Sequence, residues 1–253
     1  MCNWLGAMFR QVSTSFNSVQ ITKPNAYYPY VSYLANLSLS GDAKKSWASS
    51  AGFEADEYTA AGIVATAEAG NKGFKSRAAW IALSAEYELT DRIHNEAFGI
   101  QKLLLPGVRV DVAAYLTKPE FQLMGPANTP YKVKVTKASL LVRRLEVSPQ
   151  VRLAHLSMLE RGRNAMYLTQ RVETRAFEIP TGSFSLEIAD VFQSSIPTLL
   201  TCIFVSTSAL RGAIMENPFH LKHASLKNIE VFLGLSRPEV CLLSMLYTWA
   251  TLF

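Results

Sequence analysis

The feature that most constrains the fold of this chain is an alternation of apolar and polar residues with a period of two. The clearest example is YKVKVTKASLLVRRLEV (131–147), in which Val133 and Val135 share one side and Leu140 and Val142 continue on the opposite phase. Because successive side chains of a strand point to opposite faces, this alternation predicts a long, half-buried strand. The change of phase near Thr136 predicts a β-bulge within it.

Similar patterns predict further strands in both halves of the chain. QVSTSFNSVQI (11–21) predicts a hairpin that turns at Asn17-Ser18. AAWIALSAEYEL (78–89) fits a strand or a helix, since Trp80 and Ile81 favour a strand and the alanines do not. Strands are also expected in VRVDVAAYL (108–116), QRVETRAFEI (170–179), FSLEI (184–188), TLLTCIFVS (198–206) and KNIEVFLGL (227–235).

Two helices interrupt the predicted strands. In YPYVSYLANL (28–37), apolar residues recur at helical spacing after Pro29, namely at Tyr30, Tyr33, Leu34 and Leu37. In the second helix Ser148 is the expected N-cap, Pro149 occupies the first turn and Gly162 ends the helix. Its expected inner stripe consists of Val151, Ala154, His155, Met158 and Leu159.

These elements predict a mainly β architecture of two domains. The first domain is expected over residues 1–148, with a polar surface insertion at about 38–76. The second is expected over residues 149–253, and it begins with the helix after Ser148, which links the two domains.

The composition is typical of a folded globular protein, and the net charge bears on the kinds of partner that it could bind. The 253 residues are 49% hydrophobic and 18% charged, which allows a substantial core and excludes wholesale disorder. The net charge of +5 permits contact with nucleic acid, but the cations look scattered. Their densest groups, Lys44-Lys45, Arg143-Arg144 and Arg161-Gly162-Arg163, are typical of solvated faces.

Targeting signals and cysteine usage indicate a reducing, intracellular setting. The amino terminus lacks the pattern of a signal peptide, and no stretch reaches the roughly 18 apolar residues that span a bilayer. The formal glycosylation acceptor Asn36-Leu37-Ser38 is therefore interpreted as chance. Cys2, Cys202 and Cys241 have no metal-type spacing and are expected to be buried or reduced thiols.

Two groups of histidines are candidates for metal binding or acid–base catalysis. His220 and His223 have a spacing that a helix could use for a metal, but Glu216 is the nearest carboxylate and no further ligand lies close in sequence. We therefore expect these histidines to shape the approach to a strand. His94 lies near Asp91 and Glu96, a combination that could serve acid–base work but that also fits the polar start of a helix, which we favour.

No catalytic motif accompanies these groups. The chain has no Gly-x-Ser-x-Gly, no phosphate-binding glycine loop and no His-Glu-x-x-His. Cys2 is too terminal to serve as a nucleophile, and the apolar strand around Cys202 would leave its thiol inert. The tyrosines of AYYPYVSY (26–33) could stack on bases, but their helical spacing favours packing. We predict no enzyme activity, no catalytic or metal-binding residues and no cofactor.

Several of these segments together resemble a known family. LGAMFRQVSTSFNSVQITKPNAYYPYVSYLANLSLSGDAKKS (5–46), YKVKVTKASLLVRRLEVSPQVRLAHLSMLERG (131–162), RVETRAFEIPTGSFS (171–185) and NPFHLKHASLKNIEVFLGL (217–235) are similar, in this order, to the double jelly-roll major capsid protein of Polinton (Maverick) elements and adintoviruses. The resemblance covers roughly residues 5–236, and it is loosest over residues 38–127.

The resemblance implies a structural protein. Its fold would be two jelly-roll-type antiparallel β-sandwiches, and three copies would form a pseudo-hexagonal capsomer of an icosahedral virion, with a minor capsid (penton) protein as a further candidate partner. The family has further strands before the segment matched by Leu5 and after Leu235, where this chain continues with SRPEVCLLSMLYTWATLF (236–253). We therefore expect a partial first sandwich, an incomplete second one with a divergent tail, and an endogenous virus or transposon remnant that aggregates or needs a partner.

Two other functions compete with this expectation. The first is a basic β-sandwich that binds nucleic acid, supported by the net charge and the tyrosines, although specific binding is not expected. The second is a small enzyme on a jelly-roll scaffold, which would need a metal or a base cluster that the sequence does not contain. The expected location is the virion, or the nucleus or cytoplasm of a cell, with no membrane and no secretion.

Overall fold

The computed structural model describes residues 2–22, 25–39, 41–54, 56, 71–126, 128, 130–192, 196–231 and 242–245. The helices are α1 (Trp4–Met8), α2 (Tyr28–Leu37), α3 (Gly41–Ala43), α4 (Lys72–Trp80), α5 (Pro119–Gln122), α6 (Pro149–Glu160) and α7 (Thr207–Arg211), with a π-helical turn at Lys44–Ala48 and 3₁₀ turns at Ala82–Ser84 and Glu96–Phe98. The strands are β1 (Phe9–Phe16), β2 (Val19–Gln20), β3 (Val110–Leu116), β4 (Leu199–Cys202) and β5 (Leu242–Met245).

The largest sheet has three strands, with β1 between β2 and β3, and both pairs are antiparallel. The predicted hairpin is confirmed, because β1 and β2 are joined at Asn17 and Ser18, whose positive φ angles of 48° and 66° match the twist of a two-residue hairpin. The strand predicted over 108–116 is confirmed as β3, which begins at Val110. The strand predicted over 198–206 is confirmed in part as β4, which pairs in parallel with β5.

An aromatic cluster forms the core beside this sheet. The helix predicted at 28–37 is confirmed as α2, and its Tyr30 and Tyr33 are buried. Phe219 stacks on Tyr33 with ring centroids 4.6 Å apart, and it makes edge contacts with Tyr30 at 5.8 Å and Phe121 at 6.3 Å. Cys2, Ala7 and Leu221 complete the buried cluster. The loop that contains Phe219 is therefore part of the core.

The predicted mainly β fold of two jelly-roll sandwiches is wrong. The described strands form one three-stranded sheet and one parallel pair, and the described residues contain more helix than strand. Residues 131–147, 170–179, 184–188 and 227–231 form neither helix nor strand, although each was expected to be a strand. Residues 232–235 of the last segment lie outside the described residues.

The physical reason is that alternation makes a segment suitable for a sheet without supplying a neighbour. A strand is stable only when the backbone N–H and C=O groups of an adjacent strand complete its hydrogen bonds. Within the described part of the chain, residues 131–147 make no backbone hydrogen bond to any other segment. The bulge predicted near Thr136 accordingly has no ladder to interrupt.

The second helix is present, but its environment differs from the expectation. It runs over Pro149–Glu160 as α6, and Gly162 follows it with a φ of 75°. Ser148 occupies the N-cap position, but its side chain makes no capping hydrogen bond. The predicted inner stripe is wrong, because α6 buries none of its residues and Val151, Ala154, His155, Met158 and Leu159 are all exposed. Helical spacing shows that a face can be buried, and only a packed neighbour buries it.

The remaining segments also depart from their predicted patterns. In AAWIALSAEYEL the strand is absent, since α4 continues to Trp80 and a 3₁₀ turn follows at Ala82–Ser84. The expected insertion at 38–76 contains α3, the π-helical turn and the start of α4, while residues 40, 55 and 57–70 lie outside the description. Of the expected divergent tail from residue 236, only β5 is described.

We expect that Phe219→Ala lowers the free energy of unfolding by about 3 to 5 kcal/mol, because it leaves a cavity among Tyr30, Tyr33 and Phe121. The matched control is Phe184→Ala, which removes the same atoms from a side chain that is 104% exposed, whereas Phe219 is 0% exposed. Urea unfolding followed by tryptophan fluorescence measures both. Equal losses in the two variants would contradict the placement of Phe219 in the core.

Candidate functional site

An open cavity of about 560 Å³ lies between α2, β1 and two irregular segments at 94–102 and 168–172. Its walls mix apolar and polar side chains, as small-molecule clefts do. The apolar side includes Val12, Val31, Ile100 and Leu168, and the polar side includes Asn25, Tyr28, His94, Asn95, Glu96 and Lys102. The segment around residue 170 is held there by hydrogen bonds from the Val172 N–H to Glu96 Oε1 (3.1 Å) and from Asn25 Nδ2 to Thr174 Oγ1 (3.0 Å).

One of the histidine groups expected from the sequence borders this cavity. Asp91 Oδ2 lies 3.5 Å from His94 Nε2, and the His94 backbone N–H donates to the Tyr28 hydroxyl at 3.3 Å. The distance allows an ion pair, but the His94 Nε2 atom makes no hydrogen bond within the described residues. Glu96 Oε1 accepts a hydrogen bond from the Val172 N–H. No Ser, Thr or Cys in the described chain is hydrogen-bonded to the imidazole, so a catalytic triad is not formed.

A buried amide network joins the amino terminus to α2. Asn3 Nδ2 donates to Ser32 Oγ at 3.1 Å, and Asn36 Nδ2 donates to Asn3 Oδ1 at 2.9 Å and to Asp91 Oδ2 at 3.2 Å. Gly6 leaves room for this network, since a Cβ there would lie 2.3 Å from Asn3 Nδ2 and 2.5 Å from Ser32 Oγ. The network therefore positions Asp91 next to His94 and requires glycine at residue 6.

A buried ion pair joins the first half of the chain to the core loop. Arg77 Nη2 binds Asp56 Oδ1, and both side chains are almost fully buried. The Asp56 carboxylate also accepts from Asn71 Nδ2 at 3.2 Å and from Asn217 Nδ2 at 2.8 Å. Asn217 in turn accepts from the Phe219 N–H at 2.9 Å. Because the charges are compensated and hydrogen-bonded, this cluster serves to fix the Phe219 loop.

Burial changes the pKa values of one thiol and three tyrosines in the packed part of the chain. Burial, followed by the nearby Asp56 carboxylate, raises the pKa of the Cys2 thiol to about 12. Burial also raises the pKa of Tyr28 to about 12, and it raises the pKa values of Tyr30 and Tyr33 further. The packing role expected for the tyrosines is confirmed for Tyr28, Tyr30 and Tyr33, because all three are buried and the rings of Tyr30 and Tyr33 contact Phe219.

The other histidine group does not form a shared site. His220 is half-buried, and burial followed by the charge of Lys222 lowers its pKa, whereas His223 is exposed and accepts from the Ser225 N–H at 3.0 Å. Glu216 accepts from Ser206 Oγ at 2.8 Å and Ser208 Oγ at 2.6 Å, and these bonds lower its pKa. The described residues contain no group of three or more His, Cys, Asp or Glu side chains that could hold a metal.

The remaining sequence candidates are placed as follows. Cys202 lies half-buried in β4, and Cys241 lies outside the described residues. The chain contains, over its described ranges, no helix long and apolar enough to cross a membrane.

Sequence reasoning missed the Asp56–Arg77 pair, because its partners are 21 residues apart and carry no local signal. The Asn-Pro-Phe triplet was a usable signal for the Asn217 turn, since asparagine side chains often accept from the N–H two residues later.

A second candidate surface lies mostly outside the cavity. It consists of residues 131–147, α6 and residues 163–189, which are mostly exposed and carry many large apolar side chains. Examples that do not line the cavity are Leu141 (87% exposed), Leu145 (63%) and Phe184 (104%). We call residues 131–189 the exposed segment. Exposed apolar side chains in such number are typical of a surface that interacts with another molecule.

We expect that Gly6→Ala destabilises the chain by about 2 kcal/mol or more, because the added Cβ overpacks Asn3 and Ser32 and breaks their buried hydrogen bond. The control is Gly41→Ala, where no atom lies within 4 Å of the new Cβ. The midpoint of urea unfolding measures both variants. An unchanged midpoint for Gly6→Ala would contradict the amide network.

Cys2 is expected to resist alkylation in the native chain, because its thiol is buried and its pKa is raised to about 12. Cys202, which is half-buried, should react faster under the same conditions. Peptide mass spectrometry after iodoacetamide treatment compares the two, with urea-unfolded protein as the control in which both react. Rapid native labelling of Cys2 would be inconsistent with the core described above.

Comparison of the chain with protein-family models, with curated proteins and with solved structures finds no match. The resemblance to the Polinton and adintovirus capsid protein receives no support from these comparisons and stays a prediction. The candidate sites are accordingly defined by their geometry, and the exposed segment is the feature that most needs a functional explanation.

Proposed function

We propose that this chain is a structural protein that assembles with further copies of itself, as capsid-forming proteins do. The observation that supports this most is the apolar surface of the exposed segment. Its highly exposed large apolar side chains include Leu141 (87%), Val142 (63%), Leu145 (63%), Leu153 (66%) and Phe184 (104%). Large apolar side chains are usually buried in a folded monomer, and their exposure in one segment is typical of a surface that packs against another molecule.

The exposed segment also has the chemistry of an interface. Its apolar side chains are removed from water on association, which is favourable by about 25 cal/mol per Å². The backbone groups of residues 131–147 form no ladder within the described chain, so they are free to pair with a strand from elsewhere. The alternating sequence of this stretch suits it to such pairing.

A second copy of the chain can offer a matching edge. Strand β3 pairs with β1 on one side, and its other side is the outer edge of the sheet. Its Tyr115 and Leu116 are about half exposed. Pairing of residues 131–147 with β3 of another copy would satisfy both edges, and repetition of that contact around a closed ring builds a small oligomer. The family resemblance favours three copies, as in the capsomer of a virion.

An enzymatic role has less support. The Asp91–His94 pair borders a cavity, but the described residues bring no nucleophile to the imidazole and no metal-binding cluster to the cavity. Of the tyrosines that could have stacked on bases, Tyr28, Tyr30 and Tyr33 are buried in α2. A structural role accounts for the exposed apolar side chains of the exposed segment, which neither of these alternatives explains.

We expect the purified chain, treated with nuclease, to form oligomers whose mass rises with concentration toward three copies. The triple variant Leu141→Ser, Val142→Ser and Leu145→Ser should weaken this association by about 100-fold, because each apolar side chain buried in an interface contributes about 1 kcal/mol or more. Sedimentation velocity over a wide concentration range measures both proteins.

The matched control is Val19→Ser, Leu83→Ser and Leu103→Ser, which likewise removes one valine and two leucine side chains, here from exposed sites outside the exposed segment. This control should associate as the unaltered chain does. A soluble monomer at every concentration, with a sharp and reversible unfolding transition, would overturn the proposal. Equal weakening in the two variants would mean that the chains associate through nonspecific hydrophobic contacts rather than through a defined interface.

A further inference from the structure

The expectation that the cations are scattered is wrong, because the formal charge is distributed very unevenly along the chain. Residues 131–175 contain ten Lys and Arg and three Glu, a formal charge of +7, whereas the whole chain carries +5 and the remaining residues therefore carry −2. The cations are Lys132, Lys134, Lys137, Arg143, Arg144, Arg152, Arg161, Arg163, Arg171 and Arg175. The total charge of the chain does not show this local excess of cations, because most of the acidic residues lie outside residues 131–175.

All ten of these cations are exposed, and the described part of the structure leaves their charge uncompensated. The ion pairs of the described residues are Arg77–Asp56, Asp91–His94, Arg109–Asp111 and Arg211–Glu178, and none of them includes a cation of residues 131–175. Like charges concentrated in one exposed stretch repel one another and attract a polyanion, and this attraction is strongest at low salt. Residues 131–175 therefore favour binding of a ligand with many negative charges.

We propose that residues 131–175 form a sequence-independent binding surface for the phosphate backbone of nucleic acid. Seven of the ten cations are arginines, whose planar guanidinium groups match the geometry of phosphate oxygens better than the ammonium of lysine does. Contacts to phosphates carry no information about base sequence, so the affinity depends on salt rather than on sequence. The buried tyrosines of α2 take no part in it.

This inference rests on charge and is independent of the proposed self-association, which rests on apolar side chains. The two can share one stretch, because Lys132 and Lys134 alternate with Val133 and Val135. When such a stretch pairs as a strand, alternate side chains point to opposite faces. One face can then pack against a neighbouring copy while the other contacts nucleic acid.

The test is fluorescence anisotropy of a labelled DNA duplex of arbitrary sequence, titrated with the full chain at several salt concentrations. The unaltered chain should bind with a strongly negative slope of log affinity against log salt. Changing Lys132, Lys134, Lys137, Arg143 and Arg144 to Gln should reduce the magnitude of that slope by about 4, since each phosphate that the protein neutralises adds about 0.9 to it. Affinity at fixed salt should fall at least tenfold.

The matched control changes five exposed cations outside residues 131–175 to Gln, namely Lys45, Lys72, Lys75, Arg92 and Lys118. It removes the same net charge and should leave the slope nearly unchanged. An equal loss in this control would assign binding to net charge and overturn the proposed surface, as would the absence of salt-dependent binding. Displacement of the duplex by poly-glutamate as effectively as by unlabelled DNA would also overturn it, since the surface would then recognise acidic polypeptides. Light scattering of both variants reports self-association separately.

Discussion

The packing of Phe219 against Tyr30, Tyr33 and Phe121 is the interaction on which the rest of the structure depends. It brings a loop near the end of the described chain onto α2 near its beginning, so that distant segments share one core. Aromatic side chains bury large areas and pack in edge or offset arrangements, which makes a few of them sufficient to hold such a contact. Without this cluster the small sheet would have little to pack against.

Buried polar groups make that core specific. The Asp56–Arg77 pair holds Asn217, and Asn217 holds the backbone of Phe219, so the position of the aromatic ring is set by a chain of hydrogen bonds. The amide network of Asn3, Ser32 and Asn36 does the same for the amino terminus and α2. Each group is costly to bury alone and is tolerated because its partners are present. The packed part of the molecule is thus well defined, in contrast to the exposed segment.

The contrast between the packed part and the exposed segment underlies both proposals. Residues 131–189 keep the composition of strands and an amphipathic helix, but in the isolated chain they have little to pack against. Apolar side chains and unpaired backbone groups favour association with a second copy, whereas the uncompensated cations of residues 131–175 favour a polyanion. An assembly that surrounds nucleic acid would use both properties at once. Such a role agrees with the capsid resemblance and does not depend on the sandwich fold.

Local patterns in the sequence determined the hairpin at Asn17-Ser18, strand β3, helix α2 and the limits of α6, because turn residues, alternation and helix caps act over a few residues. They also determined the charge excess of residues 131–175, which can be counted directly. Only the tertiary structure decided that Phe219 is in the core, that Asp56 meets Arg77 and that α6 is exposed. It also decided that residues 131–147 remain outside any sheet. The reason is that burial and strand pairing need partners from distant parts of the chain, and no local pattern states whether those partners are present.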